Sequence, residues 1–106
     1  MTRFILVQTS IDSKDEAQKI ADTIVGKHLA ACCWVSGPIN STYWWKGKIE
    51  QAQEWVCSFK TRHDLYNDLE QAIKEIHSYE VPEIVATAII SGSQSFLDWI
   101  VKETAE

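Results

Sequence analysis

Apolar and polar positions follow two different patterns along the first quarter of the chain. Phe4 to Val7 is a continuous apolar run between polar residues, which is typical of a strand buried on both faces. Ser13 and Glu16 then have the spacing of a capping box, the sequence signature of a helix start. Behind them, residues recur every three or four positions and predict one face of a helix of about four turns. That face consists of Ala17, Ile20, Ala21, Ile24, Val25 and His28.

The middle of the chain predicts a long β-hairpin over residues 29–61. The first strand is apolar as far as Val35, and the Gly-Pro pair at 37–38 bends or bulges it. Residues 46–48 read Lys-Gly-Lys, a turn signal, and apolar and polar residues alternate along the return strand at 55–60. The aromatic residues of this region are therefore concentrated at the hairpin tip.

The last third of the chain predicts a helix, a strand and a short final helix. An apolar stripe at helical spacing predicts the helix over about 64–77, and Pro82 prevents its continuation. Residues 83–90 are rich in β-branched side chains, with apolar positions on both faces, which favours a strand. Ser95 and Asp98 then mark the start of the last helix.

This element order predicts the fold class. The order β-α-β-β-α-β plus a C-terminal helix is that of an α+β protein with the ferredoxin-like split βαβ arrangement, in a single domain over residues 1–106. Both main helices pack on one face of such a sheet and leave the other face open. The strands at 4–7 and 84–90 are apolar on both faces, and one appended helix cannot cover them. We therefore expect a homo-oligomer.

Charge and composition exclude several classes of protein. The net charge is −5 at pH 7 and the isoelectric point is about 5.1, which argues against a nucleic-acid partner. No segment reaches the ~18 consecutive apolar residues of a membrane span, so no membrane partner is expected. Leu, Ile, Val and Phe make up about a quarter of the chain, which is above the level typical of disorder.

The cysteines and the N-terminal residues predict a cytoplasmic location. Three cysteines, Cys32, Cys33 and Cys57, cannot form a closed disulfide framework, and all three lie in apolar runs. Reduced thiols in a cytoplasmic protein are the plain interpretation. The apolar run that begins at Phe4 is also too short for the core of a signal peptide.

The blocks Tyr-Trp-Trp-x-Gly-Lys and Tyr-x-Val-Pro-Glu-Ile are the most specific parts of five stretches of this sequence. Together, the five stretches resemble the CutA divalent-cation tolerance family. The resemblance implies a ferredoxin-like fold assembled as a tight cytoplasmic homotrimer, similar in architecture to the nitrogen-regulatory PII proteins. It also implies a role in tolerance of divalent metals, copper above all. The stretches are residues 27–32, 41–50, 59–62, 76–84 and 96–100.

Two residues are candidate metal ligands. His77 matches the histidine of the family's His-Pro-Tyr segment, with Ser78 in place of the proline. Imidazole is a natural ligand of Cu(II), and the Cys32 thiol is a soft ligand of Cu(I). The structural alternatives are a helix C-cap for His77 and a small core residue for Cys32. Some family members carry a cysteine where this chain has Gln8, which weakens a site built from a Cys-His pair.

A second candidate site is an intersubunit cleft formed by Trp45, Lys60, Tyr79 and Glu83 from adjacent chains. A lysine on an apolar strand is costly to bury without a partner, and Glu83 is a plausible counter-charge for Lys60. The likeness to PII trimers suggests that such a cleft binds an anion. The structural alternatives are an ion pair at the subunit boundary and, for Trp44 and Trp45, anchors of the subunit interface.

The sequence contains no motif that predicts an enzyme. No nucleophile stands beside a base in a known motif, and no glycine-rich loop could hold a phosphate. The first hypothesis is a homotrimer that binds Cu(II) or another divalent cation directly, with no obligatory cofactor. The alternative is a PII-like trimer that binds a small anionic ligand, so that its effect on metals is indirect. A third hypothesis is a structural trimer that anchors another protein.

Overall fold

The computed structural model describes residues 3–105 and contains an α+β fold with the predicted order of elements. A 3-10 turn at His63–Leu65 precedes the second helix. None of the helices in the described range is long and apolar enough to cross a membrane. The elements are β1 (Phe4–Ile11), α1 (Lys14–Gly26), β2 (Cys32–Trp45), β3 (Lys48–Arg62), α2 (Tyr66–Ile76), β4 (Val85–Ala88) and α3 (Gln94–Glu103).

The four strands form one antiparallel sheet in the order β2-β3-β1-β4. β1 lies inside the sheet and pairs with β3 along its whole length, from Phe4 opposite Arg62 to Ile11 opposite Trp55. Its other edge pairs with the four residues of β4. The sheet confirms the predicted split βαβ arrangement, and it leaves one edge of β2 and one edge of β4 unpaired within the described chain.

The two faces of the sheet carry separate apolar clusters. On one face, Ile5, Val7 and Ile11 pack with Phe59 and with the buried faces of α1 and α2. On the other face, α3 packs through Ile100 against Phe4 and Ala31. This second cluster lies at one end of the sheet, because Phe4 is the first residue of β1. The rest of the second face is open, as the sequence pattern predicted.

The start of α1 follows the prediction and its end does not. The Ser13 hydroxyl accepts a hydrogen bond from the backbone N–H of Glu16 at 3.2 Å. The helix ends at Gly26, and His28 has a positive φ of 61°. The N–H of His28 bonds to the Val25 carbonyl and that of Leu29 to the Ile24 carbonyl, which is the pattern of a Schellman motif. His28 on the apolar face of α1 was therefore a wrong prediction, since the residue lies beyond the helix.

The bent hairpin is confirmed. Lys46 and Gly47 form its two-residue turn, with positive φ values of 51° and 81° that match a type I′ turn. The register of β2 on β3 shifts between Ser36 and Ile39, at the predicted Gly-Pro bend. β1 stops pairing with β3 at Trp55, so the part of the hairpin beyond that residue extends past the sheet with no third strand.

Three element boundaries differ from the prediction. The last strand covers only Val85–Ala88, because its pairing with β1 is limited to those residues. The last helix is capped by Ser93, whose hydroxyl accepts from the Phe96 N–H, and Ser95 lies inside the helix. The α-helical part of the second helix starts at Tyr66, after the 3-10 turn.

The bend at Gly37 yields a testable prediction. A Cβ at this position would lie 2.8 Å from Trp55 Cδ1 and 2.9 Å from the Glu54 carbonyl oxygen, and φ is +148°. Gly37→Ala is therefore expected to lower the free energy of unfolding by about 1–3 kcal/mol. The measurement is urea unfolding, followed by circular dichroism at one chain concentration.

Gly26→Ala is the matched control for this substitution. Gly26 is the last residue of α1, and nothing lies within 4 Å of the point that an alanine Cβ would occupy there. The alanine should leave stability unchanged or raise it by up to about 1 kcal/mol. A Gly37→Ala protein as stable as the parent would show that the bend tolerates a side chain.

Candidate functional site

A cleft of about 690 Å³ lies between the projecting end of the hairpin and the segment that follows α2. One wall is formed by residues 41–45 of β2, and the other by residues 79–83. Ser10, at the end of β1, and Glu54, from β3, complete the lining. The cleft therefore forms where β1 ends and the hairpin continues alone.

A buried carboxylate connects the two walls. The Glu54 residue is only 5% exposed. Its Oε1 accepts a hydrogen bond from the Ser41 hydroxyl, and its Oε2 accepts one from the Tyr79 hydroxyl at 2.7 Å. Both carboxylate oxygens thus have a partner, which a buried charge requires. Glu54 ties the segment after α2 to both strands of the hairpin.

The environment of Tyr79 keeps its phenol protonated. Burial, followed by the hydrogen bond to Glu54 and the nearby negative charge of Asp12, raises the pKa of Tyr79 well above its ordinary value. The phenol is therefore the donor and the Glu54 carboxylate the acceptor. The arrangement places an uncharged donor and a buried charge side by side at the edge of the cleft.

The cleft is acidic. Glu54, Glu80 and Glu83 line it, and its lining residues, all within 3–105, include no lysine, arginine or histidine. Of the four residues predicted to form an anion-binding cleft, the structure brings together Trp45, Tyr79 and Glu83. The fourth, Lys60, does not line the cleft of its own chain. The charge of this lining favours a cation over an anion.

Lys60 lies elsewhere on the sheet for a clear physical reason. The register aligns it with Leu6 on one side and Cys32 on the other, so it sits toward the opposite end of β3 from the cleft. Its Nζ is 3.9 Å from the centre of the Trp34 ring. Within its own chain the Lys60 ammonium therefore has this cation–π contact. An ion pair between Lys60 and Glu83 of an adjacent chain stays a prediction.

His77 is the C-cap residue of α2 and uses both of its ring nitrogens within the chain. Nε2 lies 2.9 Å from the Ser10 carbonyl oxygen, and Nδ1 lies 3.1 Å from the Tyr79 backbone nitrogen. A carbonyl only accepts and an amide only donates, so the proton is on Nε2 and the Nδ1 lone pair is occupied. His77 therefore positions the cleft wall, and no free lone pair remains for a metal in this arrangement.

The second predicted ligand, Cys32, is far from His77. Cys32 is aligned with Lys60 and Leu6, whereas the carbonyl that His77 contacts belongs to Ser10, four residues further along β1. Four strand residues span about 13 Å. Across residues 3–105 no group of three or more His, Cys, Asp or Glu side chains is arranged to hold a metal. A metal role for either residue stays a prediction.

The sequence reasoning missed Glu54 and Ser41. Glu54 stands next to the alternating run of β3 and carries no motif, and 25 residues separate it from Tyr79. The available signal was a charged residue in the middle of a strand, opposite the Gly-Pro bend. Only the register of the hairpin shows that Ser41 and Glu54 lie close together.

Comparisons with known proteins agree on one family. Residues 5–103 match the sequence model of the CutA1 divalent ion tolerance protein. The chain belongs to the CutA1 family. The CutA of Archaeoglobus fulgidus is 42% identical over 106 residues, which is the whole of both chains. The CutA of Pyrococcus horikoshii is 35% identical over 100 residues, 94% of this chain and 97% of that protein.

Other CutA relatives are longer or are named for different locations. The chloroplastic CutA 1 of rice is 34% identical over 102 residues, and this chain spans 58% of its length. The crystal structure of rice CutA1 superposes with a TM-score of 0.95 at 33% identity, covering 99% of this chain and 96% of that one. A CutA structure from Archaeoglobus fulgidus is described as periplasmic. The family name connects the CutA1 fold with tolerance of divalent cations.

The Tyr79–Glu54 bond yields a second prediction. Tyr79→Phe leaves Glu54 Oε2 without its donor, so the free energy of unfolding should fall by about 1–3 kcal/mol. Tyr66→Phe is the matched control, because the Tyr66 hydroxyl also donates to a glutamate, Glu70, but at a partly exposed site. It should cost less than about 1 kcal/mol. Urea unfolding of both variants at neutral pH is the measurement.

The same bond predicts a dependence on pH. The pKa of Tyr79 is raised in the folded chain, so above about pH 10 the unfolded chain releases a phenolic proton that the folded chain keeps. The stabilisation by Tyr79 is therefore complete below about pH 10 and declines as the pH rises further. The stability difference between the parent and Tyr79→Phe should shrink in that range. A constant difference would contradict the assignment of Tyr79 as the protonated donor.

Proposed function

We propose that this protein acts in divalent-cation tolerance as a homotrimer that binds a divalent cation directly, with Cu(II) as the first candidate. The observation that carries the proposal is the acidic cleft, where three glutamates and Tyr79 line one cavity without a basic residue in its lining. Carboxylate and hydroxyl oxygens are ligands that divalent cations accept. The role is one of binding rather than catalysis.

The exposed apolar surface supports the homotrimer. More than half of each of four large apolar side chains is exposed: Trp34 (67%), Trp44 (72%), Ile49 (59%) and Ile90 (91%). Exposed apolar surface of this extent indicates an interface with another chain. The free edges of β2 and β4 add unpaired backbone groups that another chain can pair with. The number three comes from the likeness of the family to PII trimers.

The trimer also bears on the cation site. Trp44, Trp45 and Val81 border the cleft, and each of the three is at least 37% exposed. A neighbouring chain seated on these residues would close the open side of the cleft. We propose that the neighbour supplies the ligands that one chain lacks, because the described part of a single chain holds no cluster of three ligating side chains.

The charge of the cleft weighs against the alternative of an anionic ligand. An anion would face Glu54, Glu80 and Glu83, and the only predicted cation, Lys60, lies against Trp34 instead. Such a ligand would need Lys60 from an adjacent chain. A cytoplasmic location is proposed on the three free thiols, which suit a reducing compartment.

The cation proposal is tested by removing two charges from the cleft. In Glu80→Gln/Glu83→Gln, Cu(II) affinity measured by calorimetry should fall at least about tenfold, because two carboxylates facing the cavity become neutral. The control is Glu16→Gln/Glu75→Gln, which removes the same charge from exposed helix positions and should leave the affinity unchanged. Equal loss in both variants would indicate a general charge effect and refute the cleft as the site.

The homotrimer is tested by native mass spectrometry. The parent should be a trimer, and Ile90→Asp should shift the population toward monomer because it puts a charge on the exposed apolar surface. Asn67→Asp, at an exposed position of α2, changes the charge by the same amount and should remain trimeric. A monomeric parent protein would overturn the assembly proposal.

A further inference from the structure

Two cysteine side chains lie together on the helix-covered face of the sheet. Cys33 of β2 stands opposite Phe59, and Cys57 of β3 stands opposite Val35, so the two cysteines form a diagonal pair on adjacent strands. Both belong to the apolar cluster between the sheet and α1. Cβ atoms of diagonal neighbours are about 7 Å apart, a separation that one metal ion bound to both sulfurs can bridge. Cys32, adjacent in sequence, points to the opposite face.

A polar group without a partner lies beside this pair. Thr9 of β1 is directly opposite Cys57 on the same face, and Cβ atoms of directly opposed residues are about 5 Å apart. Thr9 is 1% exposed, and its Oγ1 makes no hydrogen bond to any group in the described chain. A buried hydroxyl in an apolar cluster is costly when it is unpaired. The sulfur of Cys57 is a potential acceptor for this hydroxyl. It is a weak acceptor as a thiol and a strong one as a thiolate.

The two thiols differ in access. Cys57 is fully buried and donates to the Ala17 carbonyl at 3.2 Å, whereas Cys33 is half-buried on β2, whose outer edge is free within this chain. The Cys33 thiol donates to the Trp34 carbonyl at 3.5 Å. Cys33 is therefore the side from which a ligand enters.

We propose that Cys33 and Cys57 form a site for one soft monovalent metal ion, Cu(I), held between their two sulfurs. Thiolate sulfur is the ligand type that selects Cu(I) over hard divalent cations, and Cu(I) accepts a coordination by only two sulfurs. The site is separate from the acidic cleft in residues and in ligand type. It goes beyond the proposed function, so either can fail without the other.

Binding is a ligand exchange in which protons leave and the metal keeps its oxidation state. Both S–H bonds break, two Cu–S bonds form, and two protons go to solvent, so Cu(I) and two thiols give a bis-thiolate complex with a charge of −1. That charge lies in an apolar cluster and needs a donor. The unpaired Thr9 hydroxyl supplies it by donating to the Cys57 sulfur, as a positioning group outside the metal's own ligands.

In the test, the whole reduced protein is mixed under argon with the bicinchoninate complex of Cu(I). The amount of copper transferred from the complex to the protein is then measured. The parent and Cys32→Ser should each take one Cu(I) per chain, and Cys33→Ser should take none in competition. Thr9→Val, which keeps the shape and removes the hydroxyl, should bind about tenfold more weakly. Ag(I) followed by native mass spectrometry repeats the count with an ion that undergoes no redox change.

The variants separate the outcomes. Retention of Cu(I) by Cys33→Ser, or its loss from Cys32→Ser, overturns the site, and so does a parent protein that takes neither Cu(I) nor Ag(I). Cys57→Ser tests the second ligand. If its buried serine prevents folding, Cys33→Ser still decides, because Cys33 is half-buried and on an edge strand of the sheet. Thr9→Val affinity equal to that of the parent refutes the role of the hydroxyl.

Discussion

The antiparallel pairing of β1 with β3 is the constraint on which the other features of this chain depend. It extends from Phe4 opposite Arg62 to Ile11 opposite Trp55, and Glu54 is the next residue of β3 beyond the last pair. From Trp55 to Arg62, β3 is part of the packed sheet. From Glu54 back to the turn of the hairpin, it projects beyond the sheet. The cleft, with Glu54 at its edge, forms at this transition. The same pairing places Thr9 opposite Cys57 and keeps Lys60 away from the cleft.

Two charged side chains of the sheet, Lys60 and Glu54, are stabilised by contacts other than ion pairs. The Lys60 ammonium lies against the Trp34 ring, and the Glu54 carboxylate is held by two hydroxyl donors instead of a cation. The two ion pairs within residues 3–105 are on or near α2 and remote from the cleft lining. As a result, neither of these ion pairs neutralises a glutamate of the cleft, and the electrostatic potential there stays negative. An acidic cavity in a protein of a divalent-cation tolerance family is a coherent arrangement.

Local sequence signals predicted the elements, and long-range contacts determined the site. Ser13 with its capping spacing, the stripe of α1 as far as Val25 and the Lys46-Gly47 turn are encoded within a few residues each, and the structure contains them. The limits of β4 depend on its partner strand, so its own apolar run of residues 83–90 overestimated its length. The contacts of Glu54 with Tyr79 and of Thr9 with Cys57 join distant parts of the chain. No spacing rule reaches across such distances, and only the register shows them.

The two-residue turn of the hairpin also has a consequence for the order of folding. β2 and β3 meet at a tight type I′ turn, so they can pair on the microsecond scale typical of hairpins. β1 must find β3 across a loop closure such as that between Gln8 and Ser58, 50 residues apart, which is slower. The nascent chain emerges with β1 first and must wait for β3 before the sheet can close. The full pairing of β1 with β3 thus requires synthesis through Arg62.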